Sequence, residues 1–438
     1  GGEIELRLVP TQNSWRVDRF RTVELAGSTF DRLLFADITA ERLDPQTKRR
    51  AQHSPHETAF LERLGAPSPW PSNFLAPSDA RHPSLAIADV DGDGLDDIYL
   101  TGRDATNQLL VHEDGRLVDR APSWGLDLDD TNAALFVDLD NDGDLDAVLG
   151  HYDRPTQVLL REGRRYVDRT GDVFLDAAPA LVTSISAADV DGDGWLDLYF
   201  STYDAVSAHA QLSSSEDVFP FEKLGRRDEH RLRRAFEDER RHAYKNLPGP
   251  PNALFLNARG KLRRSTQLQV EATKNTFQVG FSDIDGDGDQ DLYLAHDFAQ
   301  DELFFNEGGV FVAAADGVLP SMLGFGMGVS FGDYDGDGDF DLYVTNMYST
   351  AGNRVLDQLG AHADRALLDM AKGNFLFRNE GGRMELASGS GPTELHVEKA
   401  GWSWGGFFFD VDSDGDLDIH AGSGFFSVPK KYDAAFDT

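Results

Sequence analysis

The chain has 438 residues, a formal net charge of −35, 27% charged residues and no cysteine. That composition excludes disulfide stapling and thiol nucleophiles, and so acidic a balance argues against a broad nucleic-acid-binding face. No run of 18 apolar residues occurs, so no membrane span is expected.

The chain opens Gly1-Gly2-Glu3 with no charged-then-apolar leader, and so reads as a mature form or as carrying an expression scar. Arg21-Thr-Val-Glu-Leu25 and Leu33-Leu-Phe-Ala-Asp-Ile38 are strand-like runs. Residues 1–40 are expected to supply outer strands to an incomplete unit at the far end of the chain. Residues 41–80 carry Pro45, Pro55, Pro67, Pro69, Pro71 and Pro77 and a short helical stretch near Glu57–Leu64. They read as a lid or clamp outside the main body.

From residue 81 the chain repeats itself. Six acidic nonapeptides begin at Asp89, Asp138, Asp189, Asp283, Asp333 and Asp410. Position 3 is Asp91, Asp140, Asp191, Asp285, Asp335 and Asp412, and position 5 is Asp93, Asp142, Asp193, Asp287, Asp337 and Asp414. Position 9 is Asp97, Asp146, Asp197, Asp291, Asp341 and Asp418. Position 6 is always Gly, which allows a sharp turn. Position 7 is Leu95, Asp144, Trp195, Asp289, Asp339 and Asp416, each able to add a backbone carbonyl. Alternate carboxylates in a tight loop turn their oxygens toward one centre, as a hard, oxygen-seeking cation requires. Ca2+ suits such loops better than Mg2+, which demands stricter octahedral geometry and keeps its waters. About six Ca2+ are expected, and they would bring −35 to about −23. An EF-hand needs a 12-residue loop ending in Glu between helices. Here β-type sequence follows position 9, as in Ile98-Tyr-Leu and Leu342-Tyr-Val.

The first aspartates lie 49, 51, 94, 50 and 77 residues apart. A unit near 50 residues is the size of a four-stranded propeller blade. The second unit shows the parts: Ala133-Ala-Leu-Phe-Val, the metal loop, Ala147-Val-Leu-Gly, Gln157-Val-Leu-Leu-Arg and, after a Glu162-Gly163 turn, Tyr166-Val-Asp-Arg. The expected fold class is therefore all-β: a β-propeller of six four-stranded blades, with the Ca2+ loops between strands one and two. A seventh blade follows if residues 1–40 build one without a motif. The two long spacings read as insertions after strand two, at 205–250 and 349–373, within a propeller spanning 81–438. The first holds a charge-laced helical stretch, Glu222 to Lys245; the second has an amphipathic stripe from Val355 to Met370.

Topology separates two faces. Loops after strand one lie on one, and the insertions after strand two on the other. His82, His151, Tyr203, His296, Asp297, Asn346, Trp404 and His420 fall at strand ends on the insert-bearing face. Strand ends are polar in any propeller, so ordinary solvated loops account for many of these residues. His82, His151, His296 and His420 would form a second, softer metal site only if they converged. Trp402 and Trp404 fit blade packing better than a sugar platform. No GxSxG, HExxH or Walker loop is present.

Phe331-Gly-Asp-Tyr-Asp-Gly-Asp-Gly-Asp-Phe-Asp and Gly401-Trp-Ser-Trp-Gly-Gly-Phe-Phe-Phe-Asp carry a resemblance. The repeats resemble FG-GAP/VCBS repeats, the calcium-bearing blades of integrin α-subunit propellers and of many secreted bacterial proteins. Within that family they are similar to the cartilage acidic protein-like branch, without its usual C-terminal module. The resemblance covers residues 82–428 apart from the insertions. It implies the Ca2+ ligands named above and no shared catalytic residue. The expectation is an exported protein (secreted, periplasmic or at the cell surface) that binds a protein or glycan through the insert-bearing face, with no nucleic acid. The alternative is a propeller-fold enzyme with its site on that face, of polysaccharide lyase or hydrolase type or dependent on a second metal.

Overall fold

The computed structural model describes residues 2–10, 15–25, 39–43, 45, 47–48, 84–102, 105–204, 249–348, 370–389, 391 and 393–423. Each repeat folds as an antiparallel meander. The first comprises β3 (Leu85–Ala88), β4 (Asp97–Leu100), β5 (Gln108–Glu113) and β6 (Arg116–Asp119), after an N-terminal pair, β1 (Gly2–Pro10) and β2 (Trp15–Leu25). The second is β7 (Thr131–Val137), β8 (Asp146–His151), β9 (Gln157–Glu162) and β10 (Arg165–Asp168). The third is β11 (Val182–Ala188), β12 (Asp197–Thr202), β13 (Ala253–Asn257) and β14 (Leu262–Arg264). The fourth is β15 (Asn275–Ser282), β16 (Asp291–Gln300), β17 (Glu302–Asn306) and β18 (Phe311–Ala313), with β19 (Leu323–Phe325) added to the far end of β16. The fifth is β20 (Gly328–Gly332), β21 (Asp341–Thr345), β22 (Phe375–Asn379) and β23 (Met384–Leu386). The sixth shows two strands, β24 (Ser403–Phe409) and β25 (Asp418–Ser423).

Inner strands pack in sequence: β3 on β7, β7 on β11, β11 on β15, β15 on β20 and β20 on β24. This is the blade-on-blade order of a β-propeller. The strand-three to strand-four turn is tight. In the first blade, Asp114 and Gly115 take φ of 49° and 77°, the left-handed pair that matches strand twist.

The core lies in the seams between blades. Strand-two residues two places after position 9 are buried at Tyr99, Val148, Tyr199, Tyr293 and Tyr343. Each packs toward the next blade. Tyr99 meets Phe136 edge-on at 5.4 Å, Tyr199 meets Phe281 at 6.4 Å, and Tyr343 meets Phe408 at 6.1 Å. The buried hydroxyls are satisfied: Tyr99 donates to the Leu126 carbonyl at 2.9 Å and Tyr293 to Asp301 at 2.7 Å.

Arg21–Leu25 lies in β2, which pairs with β1; among the described residues neither pairs with β24 or β25. Leu33–Ile38, the segment 49–80 and the cores of both insertions, 205–248 and 349–369, lie outside the described residues.

Candidate metal centres and the opposite face

The connection from strand one to strand two is the acidic loop in every repeat. Position 6 must be Gly: Gly94, Gly143, Gly194, Gly288, Gly338 and Gly415 all have φ between 86° and 100°. Position 4 is left-handed too, at Gly92, Asn141, Gly192, Gly286, Gly336 and Ser413. The position-1 carboxylate caps the loop from inside. Asp89 accepts from the main-chain N–H groups of Gly92 at 2.8 Å, Asp93 at 3.1 Å and Gly94 at 2.9 Å. These bonds, led by Gly94, hold its pKa below the ordinary carboxylate value.

Carboxylate oxygens from positions 1, 3 and 9 converge within 4.8 Å in Asp89/Asp91/Asp97, Asp138/Asp140/Asp146, Asp189/Asp191/Asp197, Asp283/Asp285/Asp291 and Asp333/Asp335/Asp341. Such groups can hold a metal ion. Position 5 also bonds the backbone: Asp93 accepts from Leu95 N–H at 2.8 Å and Asp193 from Trp195 N–H at 2.9 Å. Position 9 is buried in the first five loops and does two jobs there. Asp197 accepts from Val190 N–H at 3.0 Å within the loop, and from Asn257 N–H at 2.6 Å on strand three. Asp146, Asp291 and Asp341 repeat the arrangement with Arg161, Asn306 and Asn379. Asp418 keeps only its loop bond, to Val411 N–H at 3.0 Å, where its blade has no third strand among the described residues.

Burial dominates the electrostatics. It pushes Asp146 and Asp197 up to about 7, and Asp291 and Asp341 to about 6, with neighbouring loop aspartates adding to the rise. Burial also raises Asp140, Asp191 and Asp285 at position 3. A buried Oδ1 of Asp140 and another of Asp412 have no hydrogen-bond partner. Clustered carboxylates with unused inward oxygens fit a hard divalent cation, whose charge would offset both desolvation and mutual repulsion. Of the residues that would hold it, those at positions 1, 3 and 9 already converge.

The loops also sit on the seams. Asn257, Asn306 and Asn379 end strand three of their blades, and their Nδ2 groups donate to the Leu139, Val190 and Ile284 carbonyls at 2.8, 2.8 and 2.7 Å. Those carbonyls are position 2 of the loop in the preceding blade. The glycines three places on, Gly260, Gly309 and Gly382, have φ of 74°, 91° and 87°. A Cβ there would lie 3.2, 3.1 and 2.9 Å from Asp140, Asp191 and Asp285, the position-3 aspartates next door.

At the opposite ends of the strands, an apolar cluster gathers Tyr152, Leu181, Tyr203, Phe277, Phe325, Met327 and Met370, with Trp402 and Trp404 packed against it. Tyr203 stacks on Phe277 at 4.4 Å and donates to Asp297 at 2.5 Å. Trp404 meets Phe277 edge-on at 5.9 Å. Tyr152 donates to Asp204 at 2.9 Å.

The two central histidines are buried inside their blades. His151 places one ring nitrogen 3.0 Å from the Asp130 carbonyl and the other 3.1 Å from Gln157. His296 lies 2.9 Å from the Thr276 hydroxyl and 3.0 Å from Glu302, which also pairs with Lys274 at 2.8 Å. Burial lowers the pKa of His296, so it is neutral near pH 7: Thr276 donates to Nδ1 and Nε2 donates to Glu302. Lys274 is then the ionic partner that helps hold Glu302 at about 2 against its own burial. Asn346 is buried with neither side-chain polar atom partnered. His420 is exposed on β25, and His82 lies outside the described residues. The structure thus joins Tyr203 to Asp297 and near Trp404, and each buried histidine keeps to its own blade's hydrogen bonds.

The FG-GAP-like repeat matches residues 89–149, 138–200 and 283–344. The chain carries FG-GAP-like repeats. Each match starts at a position-1 aspartate and runs through strand two of the next blade, so one FG-GAP match spans a seam with a loop on both sides. The match reaches the repeat family and not the narrower cartilage acidic protein-like branch. No curated protein matches this sequence. Similar solved structures include an Agrocybe aegerita lectin described as recognising non-reducing terminal N-acetylglucosamine. It is 14% identical, covers 77% of this chain and 74% of its own, and has a TM-score of 0.41. The Aleuria aurantia lectin in complex with alpha-methyl-L-fucoside is 9% identical, covering 77% and 94%, with a TM-score of 0.38. The V. cholerae biofilm matrix protein Bap1 is 13% identical, covering 61% and 35%, with a TM-score of 0.29.

Proposed function

We propose that this FG-GAP protein is an exported propeller stabilised by about six Ca2+ ions, whose insert-bearing face binds a protein or glycan partner. The observation that carries the binding face is the aromatic cluster at the strand ends away from the loops. Half-buried Trp402 and Trp404 sit against Phe277 and the Tyr203–Asp297 pair there. Aromatic faces beside hydrogen-bonded carboxylates suit both sugar rings and protein side chains. Both insertions fall in the sequence between strands two and three, and those strands meet this face at their adjoining ends. Two long insertions on one face favour a shaped site there.

The test is a screen of glycans and of extracellular proteins against the calcium-loaded protein, repeated with Trp404→Ala. Binding that falls at least tenfold in the variant, with calcium content unchanged, supports the assignment. Binding that survives Trp404→Ala but is lost on altering Trp195, at the rim of a metal loop, reverses the faces. Turnover of a bound polysaccharide in the same screen would make the protein an enzyme on that face.

A further inference from the structure

Position 4 of the loop demands a left-handed backbone, and four of the six loops meet it with glycine, at Gly92, Gly192, Gly286 and Gly336. The second loop carries Asn141 instead, at a φ of 55°. Asparagine adopts that conformation less readily than glycine, but it brings a side chain. Asn141 Nδ2 donates to the Gly194 carbonyl at 3.0 Å, 53 residues further along the chain. Gly194 is position 6 of the third loop. A loop with glycine at position 4 has no side chain with which to make such a bond.

Both ends of this bond lie inside a candidate metal loop. In the second loop, Asp138 accepts from the N–H groups of Asp142 and Gly143, both at 3.1 Å, and these flank Asn141 together with Asp140. The buried Oδ1 of Asp140 has no hydrogen-bond partner. In the third loop, Gly194 and Trp195 are held at three points. Gly194 N–H donates to Asp189 at 2.9 Å, Trp195 N–H donates to Asp193 at 2.9 Å, and the Gly194 carbonyl accepts from Asn141. Asn257 ties the same two loops from the buried side. Its Nδ2 donates to the Leu139 carbonyl at 2.8 Å, position 2 of the second loop, and to the Leu196 carbonyl at 3.1 Å, position 8 of the third. The seams clamped by Asn306 and Asn379 have the buried tie but only Gly192 and Gly286 at the exposed rim.

We propose that Asn141 is a positioning residue that couples the second and third acidic loops, so that a divalent cation in one raises the affinity of the other. A cation held by Asp138, Asp140 and Asp146 orders the chain on both sides of Asn141. Asn141 then holds the Gly194 carbonyl in place, and the third loop has less freedom left to lose when its own cation binds. The coupling is reciprocal, so filling the third loop favours the second by the same factor. This rests on the calcium reading above and goes beyond it by naming one coupled pair among the loops and the side chain that couples them.

Trp195 is the only tryptophan within the six loops, which gives the third loop its own reporter. Tb3+, a hard, oxygen-seeking probe in place of Ca2+, would be titrated into the chelator-stripped full chain, with its luminescence excited through tryptophan. Trp195→Phe identifies the part of the signal that comes from the third loop. Asn141→Gly should raise the midpoint of that signal by about three- to tenfold, the equilibrium equivalent of one neutral hydrogen bond, with total cation uptake unchanged. Asp138→Ala, which removes a ligand of the second loop, should raise it too. Combined, the two variants should shift it by less than the product of their separate factors. Asp333→Ala, in the fifth loop, should leave it where it was. An unchanged midpoint in Asn141→Gly overturns the proposal and leaves the calcium reading standing. So does an equal shift from Asp333→Ala, which would mean a general loosening of the ring. Absence of saturable cation uptake by the wild type overturns both.

Discussion

Asn306 binds two blades at once. Its main-chain N–H donates to Asp291 Oδ1 at 2.8 Å in its own blade, and its Nδ2 donates to the Val190 carbonyl at 2.8 Å in the preceding one. Val190 is position 2 of the loop that carries Asp189, Asp191 and Asp197. Gly309 closes the clamp, donating to Asn306 Oδ1 at 2.8 Å while lying against Asp191. An acidic loop is therefore braced by the strand-three hairpin of the next blade, and the loops are not mechanically independent.

Asn306→Ala should consequently act one blade back. Removing the donor leaves a buried carbonyl unsatisfied, a cost of about 1–3 kcal/mol. Hydrogen exchange should speed up across 189–197 more than across 283–291, although Asn306 belongs to the blade of the latter. Asn379→Ala should shift the effect to 283–291, through the Ile284 carbonyl. Equal changes in all loops, or changes confined to the variant's own blade, would count against the clamp.

Position 9 should be the costliest ligand to lose. Asp197→Ala removes a converging carboxylate and leaves the N–H groups of Val190 and Asn257 without their acceptor. The expected destabilisation is about 2–5 kcal/mol. Asp193→Ala at position 5 removes an exposed loop bond to Trp195 N–H and should cost about 1 kcal/mol or less in the metal-free protein. Urea unfolding of both variants with excess chelator checks the order; equal losses would mean that position 9 does not tie the loop to strand three.

Calcium removal follows from the same loops. A ligand that binds only the native state adds RT ln(1 + [L]/Kd) per site, about 2.7 kcal/mol at 100 times Kd. Chelation should therefore lower Tm markedly, and titration calorimetry on the stripped protein should return about six sites. An unchanged melting curve after verified stripping would refute calcium stabilisation.

How much of this was legible in the sequence depended on distance along the chain. The clustered loop aspartates lie within nine residues, so spacing alone exposed them, and the repeat length gave the blade. The seam clamp joins residues 116 apart. Its trace in the sequence is an Asn with Gly three places on, at Asn257, Asn306 and Asn379, a pattern easily passed over as turn chemistry. The histidines misled for a related reason. Polarity at a strand end suggests solvent, but Gln157, Thr276 and Glu302 give His151 and His296 hydrogen bonds that let them stay buried. At position 5, Asp93 and Asp193 each accept a backbone N–H two residues on, a local turn bond that alternation alone does not reveal.

The pH response should carry two opposing signatures from one buried network. Asp301 is buried beside Tyr293 and His296, and burial pushes it up to about 7 despite hydrogen bonds from both. A carboxyl whose native pKa exceeds its unfolded value binds the proton more tightly when folded. Its contribution to stability is present at low pH and is lost as pH rises from about 4 through about 7. Glu302, held at about 2 by His296 and Lys274, behaves oppositely: its contribution is present above its unfolded value and lost as pH falls toward 2. The raised loop aspartates would mimic Asp301 in the metal-free protein, so the measurement belongs in saturating calcium. There, Asp301→Asn should flatten the fall in stability between about pH 4 and 7, while Glu302→Gln should destabilise near neutrality and flatten the acid limb. Urea midpoints across pH for the wild type and both variants test this. If Asp301→Asn left the slope unchanged, Asp301 would have to be ionised throughout, and Lys274 rather than burial would govern its charge.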